Sequence, residues 1–162
     1  MLGAWPPPSA WRAGKESYLQ VTFAFMEGDV HMARRAALGL IPYKHFGVEM
    51  PGGGICENSP AGIREVAFED FARGGTTSVQ NPNATAAERA QAVGRAASRI
   101  GERRYSLDVN NCEHFANWCA TGVAISHQVL AFIRALVDLV RVAFAITFSV
   151  LAVSALRAAL AE

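Results

Sequence analysis

The chain has 162 residues, 51% of them hydrophobic and 18% charged, with a formal net charge of +1. This suits one globular domain with an appendage and excludes a disordered or strongly charged chain. No Lys/Arg-rich block is present, so nucleic acid is not expected as a partner, since phosphate binding needs clustered positive charge.

Residues 1–17 hold two tryptophans and Pro6-Pro7-Pro8. That composition gives an irregular arm, with no helix or central strand. The start of the chain has neither a charged n-region nor a long apolar h-region, so no secretory signal is expected. Residues 18–26 are rich in aromatic and β-branched side chains and read as a first strand, closed by the turn Glu27-Gly28-Asp29. Residues 30–34 suit a second strand, and Pro42 is expected to interrupt the segment after it.

From residue 44 to 50 the pattern alternates. Phe46, Val48 and Met50 fall on one face and His45, Gly47 and Glu49 on the other. This predicts a half-buried strand whose polar face looks into a cleft. Pro51-Gly52-Gly53-Gly54 makes a hairpin turn, and residues 55–59 return as the next strand, bringing His45 and Glu57 near one another. A further short strand is expected over 63–67, then a helical turn over 68–73 ended by Gly74-Gly75. Residues 76–84, with Asn-Pro-Asn, read as polar loop.

Thr85 is placed to cap a helix over 86–100, with Glu88 at the capping-box position and a packing stripe of Ala90, Val93, Ala97 and Ile100. Gly101 ends it, and residues 105–109 form an extended lead into Asn110-Asn111-Cys112. Asn111 suits an N-cap, which sets Cys112 in the first turn of a helix running to about residue 120 and stopped by Gly122. Unpaired N–H groups and the dipole there favour an anion, so Cys112 reads as a nucleophilic thiolate in need of a base. His114, two residues on, points away around the helix and is assigned to packing or capping. Cys56 and Cys119 read as core thiols, and His31 and His127 carry no motif. The three cysteines lack the paired spacing of a zinc site, so no metal is expected.

Beyond Gly122 the composition changes. From 123 to 160 the charges are Arg134, Asp138, Arg141 and Arg157, and residues 142–156 carry none. That uncharged run falls short of the roughly 20 residues of a straight membrane span, though snorkelling arginines at its ends can extend it. Arg134 and Asp138 are spaced to pair. A helix here is expected to associate with a membrane or with another copy of the chain, since its apolar surface would otherwise be exposed.

Asn111-Cys112-Glu113-His114-Phe115 resembles the signature of the lecithin retinol acyltransferase (LRAT) family, which includes the phospholipase A/acyltransferases within the NlpC-type papain-like superfamily. The resemblance extends upstream through Glu27-Gly28-Asp29, Lys44-His45-Phe46-Gly47-Val48-Glu49-Met50, residues 55–60 and residues 68–75. It covers about residues 27–122. It implies an α+β fold in which a small antiparallel sheet packs on the cysteine helix in the permuted papain-like arrangement; with the composition it divides the chain into an irregular arm over 1–17, an LRAT-like catalytic domain over 18–122 and, from composition alone, an apolar helical region over 123–162. It implies Cys112 as nucleophile and His45 as general base. Where the family usually has a second histidine, this chain has Glu57. A carboxylate can hold the imidazole in one tautomer and stabilise imidazolium, and Asn58 is the substitute should the register slip by one.

The implied activity is acyl transfer or lipid hydrolysis through a cysteine thioester, on lipid acyl esters and without a cofactor. A working thiol suits a cytoplasmic or cytoplasm-facing location. The competing readings are a cysteine peptidase or amidase and a non-catalytic membrane- or partner-binding module.

Overall fold

The computed structural model describes residues 26–37 and 40–161. The expected arm over 1–17 and nearly all of the expected strand over 18–26 lie outside the described residues. Contacts divide the chain into two units, one ending at Ile125 and one beginning at Ser126.

The first unit is α+β. Strands β1 (Val30–Ala37), β2 (Ile41–Glu49), β3 (Ile55–Ser59), β4 (Gly62–Val66) and β5 (Thr77–Val79) form one antiparallel sheet in the order β4-β3-β2-β1-β5. Three helices accompany it: α1 (Phe68–Ala72), α2 (Ala86–Ser98) and α3 (Cys112–Thr121).

Period-two alternation divides the sheet into two faces. Val30, Met32, Phe46, Val48, Met50, Cys56 and Ile63 form one core with Ala92 and Ala96 of α2 and Cys112, Phe115, Ala116 and Cys119 of α3. On the other face Ala33 and Ile55 close around Phe71 of α1. Phe71 and Phe115 are fully buried, each transfer contributing roughly 1.5–3 kcal/mol. Because α1 covers the second face, residues 45–50 are buried on both sides; β2 is not the half-buried strand that its alternation predicts. The polar residues facing α1 are there as paired charges.

Pro42 does not interrupt β2 but lies inside it, opposite Ala36. Even-numbered residues of β1 turn their backbone toward β5, with Arg34 N–H to Thr76 O at 3.2 Å and Gln80 N–H to Val30 O at 2.8 Å. Their partners on β2 therefore face away from β1. On that side β3 joins only from Gly47 onward, so the donor that proline lacks is not missed.

The loop expected over 76–84 contributes β5, three residues paired with the edge of β1. The lead into α3 closes as a turn, through the bridge between Ser106 and Asn110, in place of an extended run. Thr85 and Glu88 form the expected capping box, but the buried face of α2 is Arg89, Ala92 and Ala96, while Ala90, Ala97 and Ile100 are exposed. Arg89 sets that rotation, its Nε donating to the buried Asp29 carboxylate at 2.7 Å.

In the second unit α4 (His127–Ala159) is one unbroken helix of 33 residues, capped by Ser126, about 50 Å long at 1.5 Å per residue. None of its residues is buried, and it contains an 18-residue window of mean hydropathy 2.2. Asp138 pairs with Arg141 at 3.3 Å, and the expected partner Arg134 is not the one used.

Gly47 sits where β2 passes beneath Phe71. A Cβ there would lie 2.4 Å from Ile55 Cγ2, 3.0 Å from the Cys56 carbonyl oxygen and 3.1 Å from Phe71 Cε2. Gly47→Ala is therefore expected to destabilise the first unit by about 1–3 kcal/mol, read as a lowered denaturant midpoint at unchanged slope.

Candidate active site

Cys112 is held by the architecture of the α3 N-terminus. Asn111 Oδ1 accepts from Glu113 N–H at 2.9 Å and His114 N–H at 3.1 Å, and His114 Nδ1 accepts the Asn111 N–H at 3.3 Å, completing a capping box. His114 thus caps the helix. Asn58 Nδ2 donates to the Asn110 carbonyl at 2.8 Å, tying β3 to the loop that delivers the cysteine. Asn58 faces away from His45, so the register selects Glu57, not Asn58, as the residue beside the imidazole.

The Cys112 sulfur lies against the backbone on both sides of His45. It is 3.8 Å from the Lys44 carbonyl oxygen and accepts from the Phe46 N–H. Among the described contacts none joins sulfur to imidazole directly; the His45 ring uses Nε2, at 2.7 Å from Glu57 Oε2. Gly47 and Glu57 are cross-strand partners, which puts Glu57 diagonally across from His45 on one face, within reach of a long side chain. His45 and Glu57 are 4% and 3% exposed.

Burial, the largest single effect, would raise the Glu57 pKa. The His45 hydrogen bond and charge, with Arg35 and Arg64, outweigh it and hold the carboxyl at about 2. Burial also dominates at His45 and pushes its pKa down, with Arg35 and Arg73 adding in that direction against the Glu57 hydrogen bond. The pair therefore rests as a carboxylate beside a neutral imidazole. In that state Nε2–H donates to Glu57 and Nδ1 is the basic nitrogen.

Cys112 differs from the sequence expectation of a depressed pKa. Burial pushes the thiol up, and the N–H groups of Phe46, Glu113 and Cys112, which favour thiolate, do not offset it. With 4% exposure, loss of water outweighs the helix start. Cys56 and Cys119 lie in the core and are pushed up to about 12 by burial, and none of the three cysteines is in a disulfide.

Sequence reasoning missed Arg35 and Arg64. Arg64 is the cross-strand partner of Glu57, its Nη2 3.3 Å from Oε1; the short turn between β3 and β4 was the available signal. Arg35 is on β1, its Nη2 3.5 Å from Glu57 Oε2, and no local signal marks it. A second buried pair was also missed: His31 Nε2 meets Glu49 Oε2 at 2.7 Å, and the ring packs edge-on to Phe68. Outside the dyad, Arg64, Val66, Glu69, Asp70 and Arg73 line a cavity of about 340 Å³ that reaches Glu57.

Alkylation of the resting protein should separate these thiols. Near neutral pH Cys112 should react more slowly than an unstructured cysteine, accelerating as pH rises above the ordinary thiol value of 9.0. Cys56 and Cys119 should stay unlabelled until the chain unfolds. Peptide mapping by mass spectrometry reads all three.

The comparisons with known proteins give similarity to one family. The family model for lecithin retinol acyltransferase matches residues 54–125, a stretch holding Glu57 and Cys112, with His45 just upstream. The mouse protein "Lecithin retinol acyltransferase" is 37% identical over 84 residues, 49% of this chain and 36% of its own length. The rat protein of that name is 36% identical over 93 residues, 55% of this chain and 39% of its own length. The match thus spans less than two fifths of each relative. Over residues 54–125, less than half of the chain, the sequence is similar to the lecithin retinol acyltransferase family.

Proposed function

We propose that the chain is a thiol-dependent acyltransferase or lipid hydrolase, acting on lipid acyl esters through a thioester on Cys112. The observation that carries this reading is the buried His45–Glu57 pair at 2.7 Å, with the sulfur of a helix-initial cysteine 3.8 Å from the carbonyl oxygen of Lys44, the residue before His45. In the proposed reaction the sulfur attacks the acyl carbonyl while His45 Nδ1 takes the thiol proton, and ionised Glu57 stabilises the imidazolium. Asn111 holds the Glu113 and His114 N–H groups, and oxyanion stabilisation falls to the backbone N–H groups near the start of α3, that of Cys112 foremost. His45 then protonates the leaving alkoxide. The acyl group stays on sulfur until water or an alcohol or amine acceptor takes it, with hydrolysis or transfer as the respective outcome.

Both partners start neutral, so the charge pair is made during the attack in a site with little water. Nucleophile and base then act as a unit, and their protonations are coupled. Cys112→Ala and His45→Ala should each abolish nearly all turnover, and the double variant should lose little more. Glu57→Gln should lose less, because it keeps a hydrogen-bonding side chain on Nε2. The direct test is intact-mass analysis under acid quench with phospholipid substrate, where an acyl adduct on Cys112 that hydroxylamine removes is expected. Full turnover by Cys112→Ala, or adducts confined to Cys56 or Cys119, would sink the reading; turnover of amides in place of esters would move it to peptidase chemistry.

The same proposal places α4 in a membrane. Its length exceeds the roughly 30 Å hydrocarbon core, and large side chains are exposed along it, Phe132, Leu139, Phe144 and Phe148 each by 65% or more. Full-length chain is expected to float with phospholipid vesicles. A chain ending at Ile125 is expected to lose flotation while keeping turnover of detergent-dispersed substrate; unfolding of that shorter chain would show that the first unit needs the helix.

A further inference from the structure

Glu57 poses an electrostatic problem for the proposed reaction, on which this inference rests. A carboxylate alone beside an imidazole favours imidazolium, and imidazolium cannot accept a thiol proton. A second cation on the same carboxylate changes that balance. Arg35 reaches from β1 on the face shared with His45 and Glu57, and its Nη2 lies 3.5 Å from Oε2, the oxygen that His45 Nε2 meets at 2.7 Å.

The guanidinium is fixed. Its side chain is 7% exposed, Nε donates to the Phe71 carbonyl at 3.2 Å with Nη2 on the same oxygen, and the group lies 5.4 Å from the Phe71 ring centre. The His45 ring packs on Phe71 as well, at 5.5 Å. One aromatic side chain therefore sets the positions of both groups that compete for Glu57.

We infer that Arg35 is the fixed counter-ion of Glu57 and a positioning residue of this site: it aligns the carboxylate on Nε2 and leaves the imidazole uncharged, ready to take the thiol proton. The other groups around the pair do not do this. Arg64 is half exposed and meets the far oxygen, Oε1. Arg73, at the end of α1, also opposes a charge on His45 but lines the open cavity together with Glu69 and Asp70. Tyr43 lies edge-on to His45 at 6.4 Å and brings no cation, and the Cys112 sulfur meets the Lys44 carbonyl. A histidine at position 57 would place no buried negative charge there; the glutamate does, and Arg35 offsets it.

The test uses the full chain in detergent micelles and two readouts: NMR titration of the His45 ring in a Cys112→Ala background, which needs no turnover, and the pH profile of kcat/KM with Cys112 intact. Removal of a positive charge favours imidazolium. Arg35→Gln should therefore move the His45 titration and the acidic limb of the profile to higher pH together, lowering relative turnover on the acid side on the order of tenfold. Arg35→Lys keeps the charge and should leave the titration near wild type. An unmoved titration in folded Arg35→Gln, or a Lys variant that behaves like the Gln variant, would overturn the inference and leave Arg35 as packing on Phe71. Should Arg35→Gln fail to fold, Arg35→Met keeps an unbranched side chain to pack on Phe71 without the charge; the same upward shift of the His45 titration is expected, and an unmoved titration overturns the inference. An inactive wild type would count against the proposed reaction, while the titration would still decide the role of Arg35.

Discussion

Glu57 places a negative charge beneath the second face of the sheet, and a charge cut off from water persists only when paired and hydrogen-bonded. Much of the surrounding structure follows from that requirement. The β2–β3 register sets Glu57 beside His45, the β3–β4 register sets it beside Arg64, and β1 carries Arg35 across the same face. Helix α1 closes the site above them through Phe71, which contacts Arg35 and His45 together. Gly47 has no side chain because Phe71 and Ile55 occupy the space that one would need.

Burial on both faces of the sheet gives the site its resting chemistry. Burial favours the uncharged thiol at Cys112 and the uncharged imidazole at His45, while three partners keep Glu57 ionised. A site of this kind stores its basicity: the imidazole has a carboxylate on one nitrogen and stays neutral until a proton arrives. The N–H groups aimed at the sulfur are too few to replace the lost water, yet they are in place where negative charge would develop. His31 and Glu49 repeat the histidine–carboxylate pairing deeper on the same face, packed on Phe68, so this face of the sheet is built largely from compensated charge.

The second unit obeys a different rule. Along α4 the apolar residues are spread around the helix instead of gathered in one stripe, and the single ion pair, Asp138 with Arg141, is exposed near its middle. A helix apolar on all sides suits a surrounding medium that is itself apolar.

Local chemistry in the chain was enough for several elements. Asn111 before Cys112 determined the cap and the position of the thiol; Thr85 and Glu88 determined the start of α2; and the glycine turn at 52–54 with alternation on either side determined the hairpin that joins His45 to Glu57. These depend on neighbours within a few residues, so they can be read in one dimension. Other features were decided only when distant segments met. Pro42 fits inside a strand because β3 begins beyond it; three residues of the polar loop became β5 because the edge of β1 was open; and α2 turned its face toward Arg89 because Asp29, 60 positions earlier, needed a cation. Arg35 met Glu57 across an intervening strand, and the thiol lost its water under the packed sheet. Strand neighbours, burial and charge compensation belong to pairs of residues far apart along the chain, and their energies exist only once the fold has brought those residues together.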